Sequence, residues 1–268
     1  MTILDNPWLF FVLLLAGFLL VEEIGYRVAR RRLGVQSETK HKQIEETRNQ
    51  IAVLLSLLLG FTLSMALSRF EIRKELVVNE ANAIGTTYLR AQMLPEPART
   101  KSMSLLREYV DTRVRWIKAP NPDQARLQGI ADAKRIQDDL WQIAVPLAQA
   151  TPNPIISIYA QTLNDMIDLD EKRIAARLNR IPTEIWLMLV VLGGITCFTI
   201  GLGQESRLAV AVIVPALMLS IVMGLVADIE SSRSGFIMVS QDSLLRVYSD
   251  IHAALPTTAT PSPSADTR

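Results

Sequence analysis

The stretch "IAVLLSLLLGFTLSMALSRFEIRKELVVNEANAIGTTYLRAQMLPEP", residues 51–97, decides the fold. Residues 51–68 are almost all apolar, and a helix of this length crosses roughly 30 Å of hydrocarbon. No proline occurs in residues 51–94, so this stretch holds no helix breaker at the membrane surface. The stretch therefore predicts one long helix that spans a membrane and continues beyond it.

Three further apolar runs predict additional transmembrane helices. They cover about residues 7–23, 185–203 and 208–227. No Lys or Arg precedes the first run, and no A-x-A-like cleavage site follows it, so we interpret it as an uncleaved anchor rather than a signal peptide. With residues 51–68, the runs predict an all-α protein with four transmembrane helices.

The spans form two hairpins that flank a more polar region. The hairpins cover residues 1–68 and 184–227, and the intervening residues 69–183 show helical periodicity punctuated by proline. We expect this region to be a helical extramembrane domain whose first helix continues the second span. Residues 228–254 form a segment after the fourth span. Residues 255–268 are rich in Pro, Ser and Thr, which predicts a disordered tail.

Composition argues against several classes of function. The formal net charge is +1, so no basic field indicates a nucleic-acid partner. A single Cys and two His leave few ligands for a metal site, and the single Cys excludes an intrachain disulfide. No nucleophile–base pair or metal-ligand set can be assembled from the sequence. We therefore expect neither an enzyme nor a cofactor.

A stripe of small residues lies on one face of the second span. Ser56, Gly60, Ser64 and Ser68 follow one another every four residues. Such residues leave room for an ion and offer it hydroxyl groups, which predicts a pore lining. The same pattern lets helices approach closely, which predicts tight packing. Both interpretations hold together if identical helices surround an axis.

Two polar clusters follow the second and fourth spans. Asn79, Glu80 and Asn82 would form the polar vestibule of a pore or contact a neighbouring helix. A catalytic role is disfavoured because Glu80 is the one carboxylate, and the one charged residue at neutral pH, between Glu75 and Arg90. The second cluster would take part in gating or anchor a helix end, and consists of Asp228, Glu230 and Arg233.

Residues 50–248 resemble a known family. The stretch quoted above, "LDEKRIAARLNRIPTEIW" (169–186) and "DIESSRSGFIMVSQDSL" (228–244) are similar to the bestrophin-like family of bacterial membrane proteins called DUF4239. This bacterial family places the protein in the bacterial inner membrane. A remoter likeness to bestrophins, which are pentameric anion channels, implies a homo-oligomer, for which we expect four or five subunits. It also implies that the second span lines the pore and that small inorganic ions, preferably anions, pass through it.

The orientation and the activity each leave an alternative open. Arg27 and residues 30–32 follow the first span, and by the positive-inside rule they place both termini outside the cytoplasm. The likeness to bestrophins implies cytoplasmic termini instead. The alternative to a channel is a non-conducting scaffold or sensor in the lipid bilayer, whose helical domain binds a protein partner.

Overall fold

The computed structural model describes residues 6–33, 38–118, 122–150, 153–204, 209–231 and 235–253. Every regular element in these ranges is helical. The α-helices, with a π-helical turn at Ala29–Leu33 after the first, are α1 (Pro7–Val28), α2 (Glu38–Ala91), α3 (Ala98–Lys118), α4 (Pro122–Ala150), α5 (Pro154–Leu178), α6 (Thr183–Gly203), α7 (Ala209–Glu230) and α8 (Asp242–Ala253).

Four helical stretches are long and apolar enough to cross a membrane. They are Pro7–Arg31, Lys42–Ala91, Pro154–Gly203 and Val212–Glu230. The all-α class and the four membrane helices predicted from the sequence are thus confirmed. The helix α2 is the longest, with 54 residues, or about 80 Å at 1.5 Å per residue. It ends at Ala91, four residues before Pro95.

The chain divides into two compact units. The membrane unit comprises Met1–Arg73 and Ala176–Val239, and the bundle unit comprises Lys74–Ala175 and Ser240–Arg268. Because α2 passes from residue 73 to residue 74 without a break, one helix contributes to both units.

The membrane unit is built on the contact between α1 and α6. Phe10 packs edge-on against Trp186, with ring centroids 5.2 Å apart. Further along α1, the ring of Phe18 occupies the space that a side chain at Gly193 would need. At the other end of α6, a Cβ at Gly201 would collide with the backbone of Glu22. The missing side chains therefore let the two backbones approach closely.

The bundle unit has its own core. Its largest fully buried apolar and aromatic side chains recur at helical spacing along the chain, and include Ile84, Leu106, Tyr109, Ile136, Leu140, Tyr159, Leu163, Met166 and Leu244. They come from α2, α3, α4, α5 and α8. The periodicity that predicted helices in this region thus corresponds to one buried face on each helix.

Some predictions lie outside the described residues. The tail at 255–268 and Arg233 belong to them. The proposed domain boundaries stay predictions.

Candidate functional site

The stripe of small residues on α2 is exposed along its whole length. Ser56, Gly60, Ser64 and Ser68 are all exposed, and a Cβ built at Gly60 would meet no atom within 4 Å. The Ser56 hydroxyl donates a 2.7 Å hydrogen bond to the carbonyl oxygen of Ala52. We call this surface the outer face of α2. Among the described residues of one protomer, no other helix packs against these small side chains.

Large apolar side chains flank this stripe. Leu57 and Phe61 are 56% and 64% exposed, and Leu67 is also exposed. Leu63, which has a similar chemistry, packs against the core of the membrane unit instead. Of these bulky residues, Phe61 is therefore the most exposed, whereas Leu63 packs inside the membrane unit.

The opposite face of α2 packs against the chain's own helices. Leu55, Leu59 and Ala66 belong to the core of the membrane unit. Thr62 is 1% exposed, and its hydroxyl donates a 2.7 Å hydrogen bond to the Leu58 carbonyl oxygen. We call this surface the inner face of α2. A buried hydroxyl is satisfied by its own helix here, so it needs no partner from elsewhere.

The polar cluster after the second span is split between these two faces. Asn82 is exposed and Asn79 is half-buried, with its amide 3.5 Å from Glu75 Oε1. Glu80, in contrast, is 0% exposed and lies on the inner face. Adjacent residues on a helix point about 100° apart, which separates Glu80 from the two asparagines. The three residues predicted as one vestibule are therefore not brought together.

Glu80 accepts hydrogen bonds from two arginines inside the bundle unit. Arg113 of α3 approaches Glu80 Oε1 with its Nε at 2.8 Å and its Nη2 at 2.7 Å. Arg173 of α5 pairs with the other carboxylate oxygen, Oε2. The Arg113 and Arg173 side chains are 2% and 9% exposed. Such charge-assisted bonds are stronger than neutral ones, and they join three helices at one carboxylate.

A second carboxylate extends this network. Asp170 of α5 pairs with Arg113 and accepts a 2.8 Å hydrogen bond from Gln137 Nε2 of α4. Arg173 Nη2 donates a 3.2 Å hydrogen bond to Gln241 Oε1, just before α8. The network thus includes residues from every helix of the bundle unit or from its flank. We name Glu80, Arg113, Gln137, Asp170 and Arg173 the charge network.

Two aromatic rings lie against the arginine at the centre of the charge network. The Arg113 guanidinium lies 5.1 Å from the ring centroid of Tyr109 and 5.7 Å from that of Trp116. Burial raises the pKa of Tyr109, which keeps its phenol neutral beside the two carboxylates. The rings exclude water from the ion pairs, and this low-dielectric setting makes each missing partner costly.

The spacing of two charged residues along the chain is the sequence signal for the charge network. Arg113 follows Leu106 by seven residues, and Asp170 follows Leu163 by seven. Seven residues are close to two helical turns, so each charge falls on the buried face of its helix. Charged residues within an apolar stripe indicate burial with a partner. The partners themselves lie 33 to 93 residues away, where periodicity gives no information.

The cluster after the fourth span serves two separate contacts in the membrane unit. Both carboxylates are 5% exposed. Asp228 accepts hydrogen bonds from the backbone N–H groups of Phe236 and Ile237, at 3.0 and 2.9 Å. Glu230 Oε1 accepts a 2.7 Å hydrogen bond from the Ile181 N–H and lies 3.7 Å from Arg69 Nη1. This arrangement can anchor chain segments.

The end of α7 is held by a cation from α2. Arg73 is 8% exposed, and its Nη2 donates a 2.6 Å hydrogen bond to the carbonyl oxygen of Ile229. A positive charge at a helix C-terminus is stabilised by the helix dipole.

Among the described residues, no group of three or more His, Cys, Asp or Glu side chains could hold a metal ion.

Comparison with known proteins bears on the identity of this fold. The Bestrophin-like domain family matches residues 16–244. No curated protein matches the chain significantly. Among solved structures, that of a bacterial bestrophin homologue from Klebsiella pneumoniae, determined by Zn-SAD phasing, is similar with a TM-score of 0.67 and 13% identity. The similarity covers 90% of this chain and 97% of that one.

Two mutant structures of a bacterial bestrophin homologue from Klebsiella pneumoniae give the same result. One has a TM-score of 0.67 at 14% identity, over 91% of this chain and 98% of its own. The other has a TM-score of 0.63 at 15% identity, over 91% of this chain and 94% of its own. These likenesses concern the fold, while the DUF4239 label stays a prediction. Because the family match covers most of the sequence and the fold agrees with it, this chain is a membrane protein of the bestrophin-like family.

Proposed function

We propose that the protein is a homo-oligomeric channel for small inorganic ions, with α2 of each subunit surrounding a central axis. The observation that carries this proposal is the exposure of Ser56, Gly60, Ser64 and Ser68 on a helix long enough to cross a membrane. The inner face of the same helix is fully used for packing within the protomer. The outer face is therefore available to line a path for ions.

Physical chemistry restricts what the outer face can contact. Small hydroxyl-bearing side chains gain little from lipid tails, which pack better against bulky apolar residues. A water-filled path or a second helix suits them better. One protomer carries one such stripe, so enclosing a path requires several copies around a symmetry axis. We expect four or five copies.

Exposed apolar residues in the bundle unit support association of this kind. Large apolar side chains on α2, α4 and α5 and in the turn after α2 are 38–65% exposed, among them Leu89, Met93, Val145, Ile155 and Ile158. Exposed apolar surface outside a membrane commonly marks an interface between proteins. Contacts between copies of the bundle unit would bury this surface.

The nature of the path follows from the side chains on the outer face. A ring of Phe61 side chains would form an apolar constriction that controls ion passage by excluding water. Asn79 and Asn82 offer amide donors to anions beyond the membrane span. The preference for anions and the location in a bacterial inner membrane both derive from the resemblance to bestrophins.

The test is ion flux through the full chain reconstituted in liposomes. We expect Ser64→Trp to abolish flux while the protein still inserts and elutes as the wild-type oligomer. The matched control is Val191→Trp, which adds the same ring at a position of α6 that is 49% exposed. This control should conduct like the wild type. Replacing chloride by a large organic anion, and separately sodium by a large organic cation, would identify the permeant ion.

Two results would contradict the proposal. One is equal flux from Ser64→Trp and the wild type. The other is a wild-type protein that is folded and oligomeric but carries no ions over a range of voltages and pH values. The second result would favour a scaffold or sensor, in which surface substitutions on residues 98–145 should abolish capture of a partner without affecting insertion.

A further inference from the structure

A cavity opens between the start of α1 and the end of α7, within the membrane unit. It has a volume of about 330 Å³, which is at the lower end of the range for small-molecule sites. Its walls are aromatic and aliphatic, and include Trp8, Phe11, Ile221, Gly224, Leu225 and Phe236. Asp228 and its backbone partners Phe236 and Ile237 form part of the lining, but the space between the walls has no role in the contacts described above.

The absence of a side chain at Gly224 keeps the cavity open on one side. A Cβ at this position would lie 3.4 Å from the ring of Phe11, which is an ordinary van der Waals contact. An alanine would therefore fit without strain, whereas a longer side chain would extend into the cavity. The position tolerates a side chain, so a larger residue can be used to fill the space.

A fixed loop covers the mouth of the cavity. Gly235 has a φ of +152°, which favours glycine, and its Cα lies against the Asp228 carboxylate. Asp228 holds the N–H groups of Phe236 and Ile237, which places the Phe236 ring 5.1 Å from that of Trp8. Asp228 is the one carboxylate in the wall, and both of its oxygens accept hydrogen bonds from the backbone of residues 236 and 237. The wall therefore favours an apolar occupant over a polar one.

The cavity is continuous with surfaces that face lipid. Ile221 and Leu225 line it and are also 51% and 41% exposed on α7. On α1, Trp8 is 58% exposed, and Leu9 and Val12 beside it are exposed as well. Tryptophan at the end of a membrane helix is typical of the boundary between headgroups and hydrocarbon. A lipid chain can enter from this surface without crossing water.

We propose that this cavity binds one acyl chain of a membrane phospholipid, between Trp8 and Phe236 at its mouth and Gly224 in its wall. The apolar wall, the size and the continuity with the lipid-facing surface all favour this occupant. The proposal requires the membrane helices but does not require that the protein conducts ions.

Photo-crosslinking of the full chain in nanodiscs tests the proposal. The probe is a phosphatidylcholine with a diazirine at the end of one acyl chain, and mass spectrometry locates the adducts. In the wild type, adducts on Phe11, Ile221 or Phe236 should saturate at a low mole fraction of probe. Adducts at Val191, an exposed position on α6, should rise in proportion to the probe.

Variants that fill or open the cavity should change only the adducts on the cavity residues and leave those at Val191 unchanged. We expect Gly224→Leu to reduce them at least fivefold while labelling at Val191 stays unchanged. The matched control is Gly17→Leu, because a Cβ at Gly17 meets no atom within 4 Å. Phe236→Ser provides a second variant, since this residue is 76% exposed and its replacement leaves the core intact. It should also reduce cavity labelling.

Three outcomes would overturn the proposal. Labelling of the cavity that rises linearly and is unaffected by Gly224→Leu would indicate ordinary boundary lipid. A photoreactive free fatty acid that labels the cavity where the phospholipid probe does not would assign the site to free fatty acids. A cavity that neither probe labels would be covered by something else, such as a second copy of the chain.

Discussion

The two faces of α2 differ in what they contact, although both belong to one helix of 54 residues. The inner face packs Leu55, Leu59 and Ala66 in the membrane unit and holds Glu80 in the bundle unit. The outer face presents a stripe of serine and glycine that stays exposed among the residues that the structure describes. Thr62 and Glu80 on the inner face find their hydrogen-bond partners inside the chain, whereas the exposed hydroxyl groups of the outer face can serve a ligand or another subunit.

A second set of small residues clarifies this difference. Gly25 and Gly201 lie where α1 and α6 meet, and a Cβ on either would collide with the backbone of the other helix. A Cβ added at Gly60, in contrast, would meet no atom within 4 Å outside its own helical turn. Small residues that exist for packing within the protomer are thus recognisable by what surrounds them. The stripe on α2 does not belong to that class.

The largest effect is expected from removing the carboxylate at the centre of the charge network. In Glu80→Ala, Arg113 keeps its ion pair with Asp170. Arg173 loses its ion pair with Glu80, which is the one it makes in the charge network. Breaking a buried ion pair costs about 3–5 kcal/mol of the free energy of unfolding. Thermal unfolding in mild detergent, followed by circular dichroism, measures the loss.

The matched control for that variant lies two residues away on the outer face. Asn82→Ala removes an exposed amide, so it should change the free energy of unfolding by no more than about 0.5 kcal/mol. If Glu80→Ala and Asn82→Ala were equally stable, the inner face would not be the structural face of the helix beyond the membrane.

An intermediate effect is expected from overpacking the inner face within the membrane. Ala66 is 0% exposed, and Ala66→Leu forces extra methylene groups into a closed core at a cost of about 1–3 kcal/mol. Ser64→Leu adds the same side chain on the outer face and should leave the thermal stability of the isolated protomer nearly unchanged. A reversal of this order would show that the outer face packs within the protomer.

The smallest structural perturbation comes from single cysteine substitutions. The one native cysteine, Cys197, is 0% exposed, so the background reactivity toward a charged thiol reagent should be low. In liposomes, Ser56→Cys, Gly60→Cys and Ser64→Cys should react because water reaches the outer face. Thr62→Cys and Val191→Cys should not, because the first is buried and we expect the second, on the exposed apolar surface of α6, to face lipid. Protection of all three outer-face positions would indicate helix contact without a water-filled path.

The sequence allowed the helical class and the membrane spans to be predicted, and the reasons are local. Runs such as 51–68 are long enough to define a span, and the absence of proline up to residue 95 predicted that α2 would continue beyond the membrane. The buried face of each bundle helix was visible as periodic apolar residues. These features depend on neighbours within two turns of the same helix.

The features that could not be predicted depend on contacts between distant segments. Glu80 looked like the centre of a polar lip because Asn79 and Asn82 adjoin it in sequence, yet its partners are Arg113 and Arg173. The cavity beside α1 requires that Gly224 and Phe236 meet Trp8, more than 200 residues away. A single sequence carries no information on such pairings.

The central claim is that several copies of α2 surround one axis, and subunit stoichiometry tests it most directly. Native mass spectrometry of the full chain in nanodiscs should give a single closed assembly of four or five copies, with the outer faces of α2 toward its centre. A monomer under the same conditions would leave the outer face exposed to lipid and one protomer without a central path. That result would contradict the account and exclude the channel.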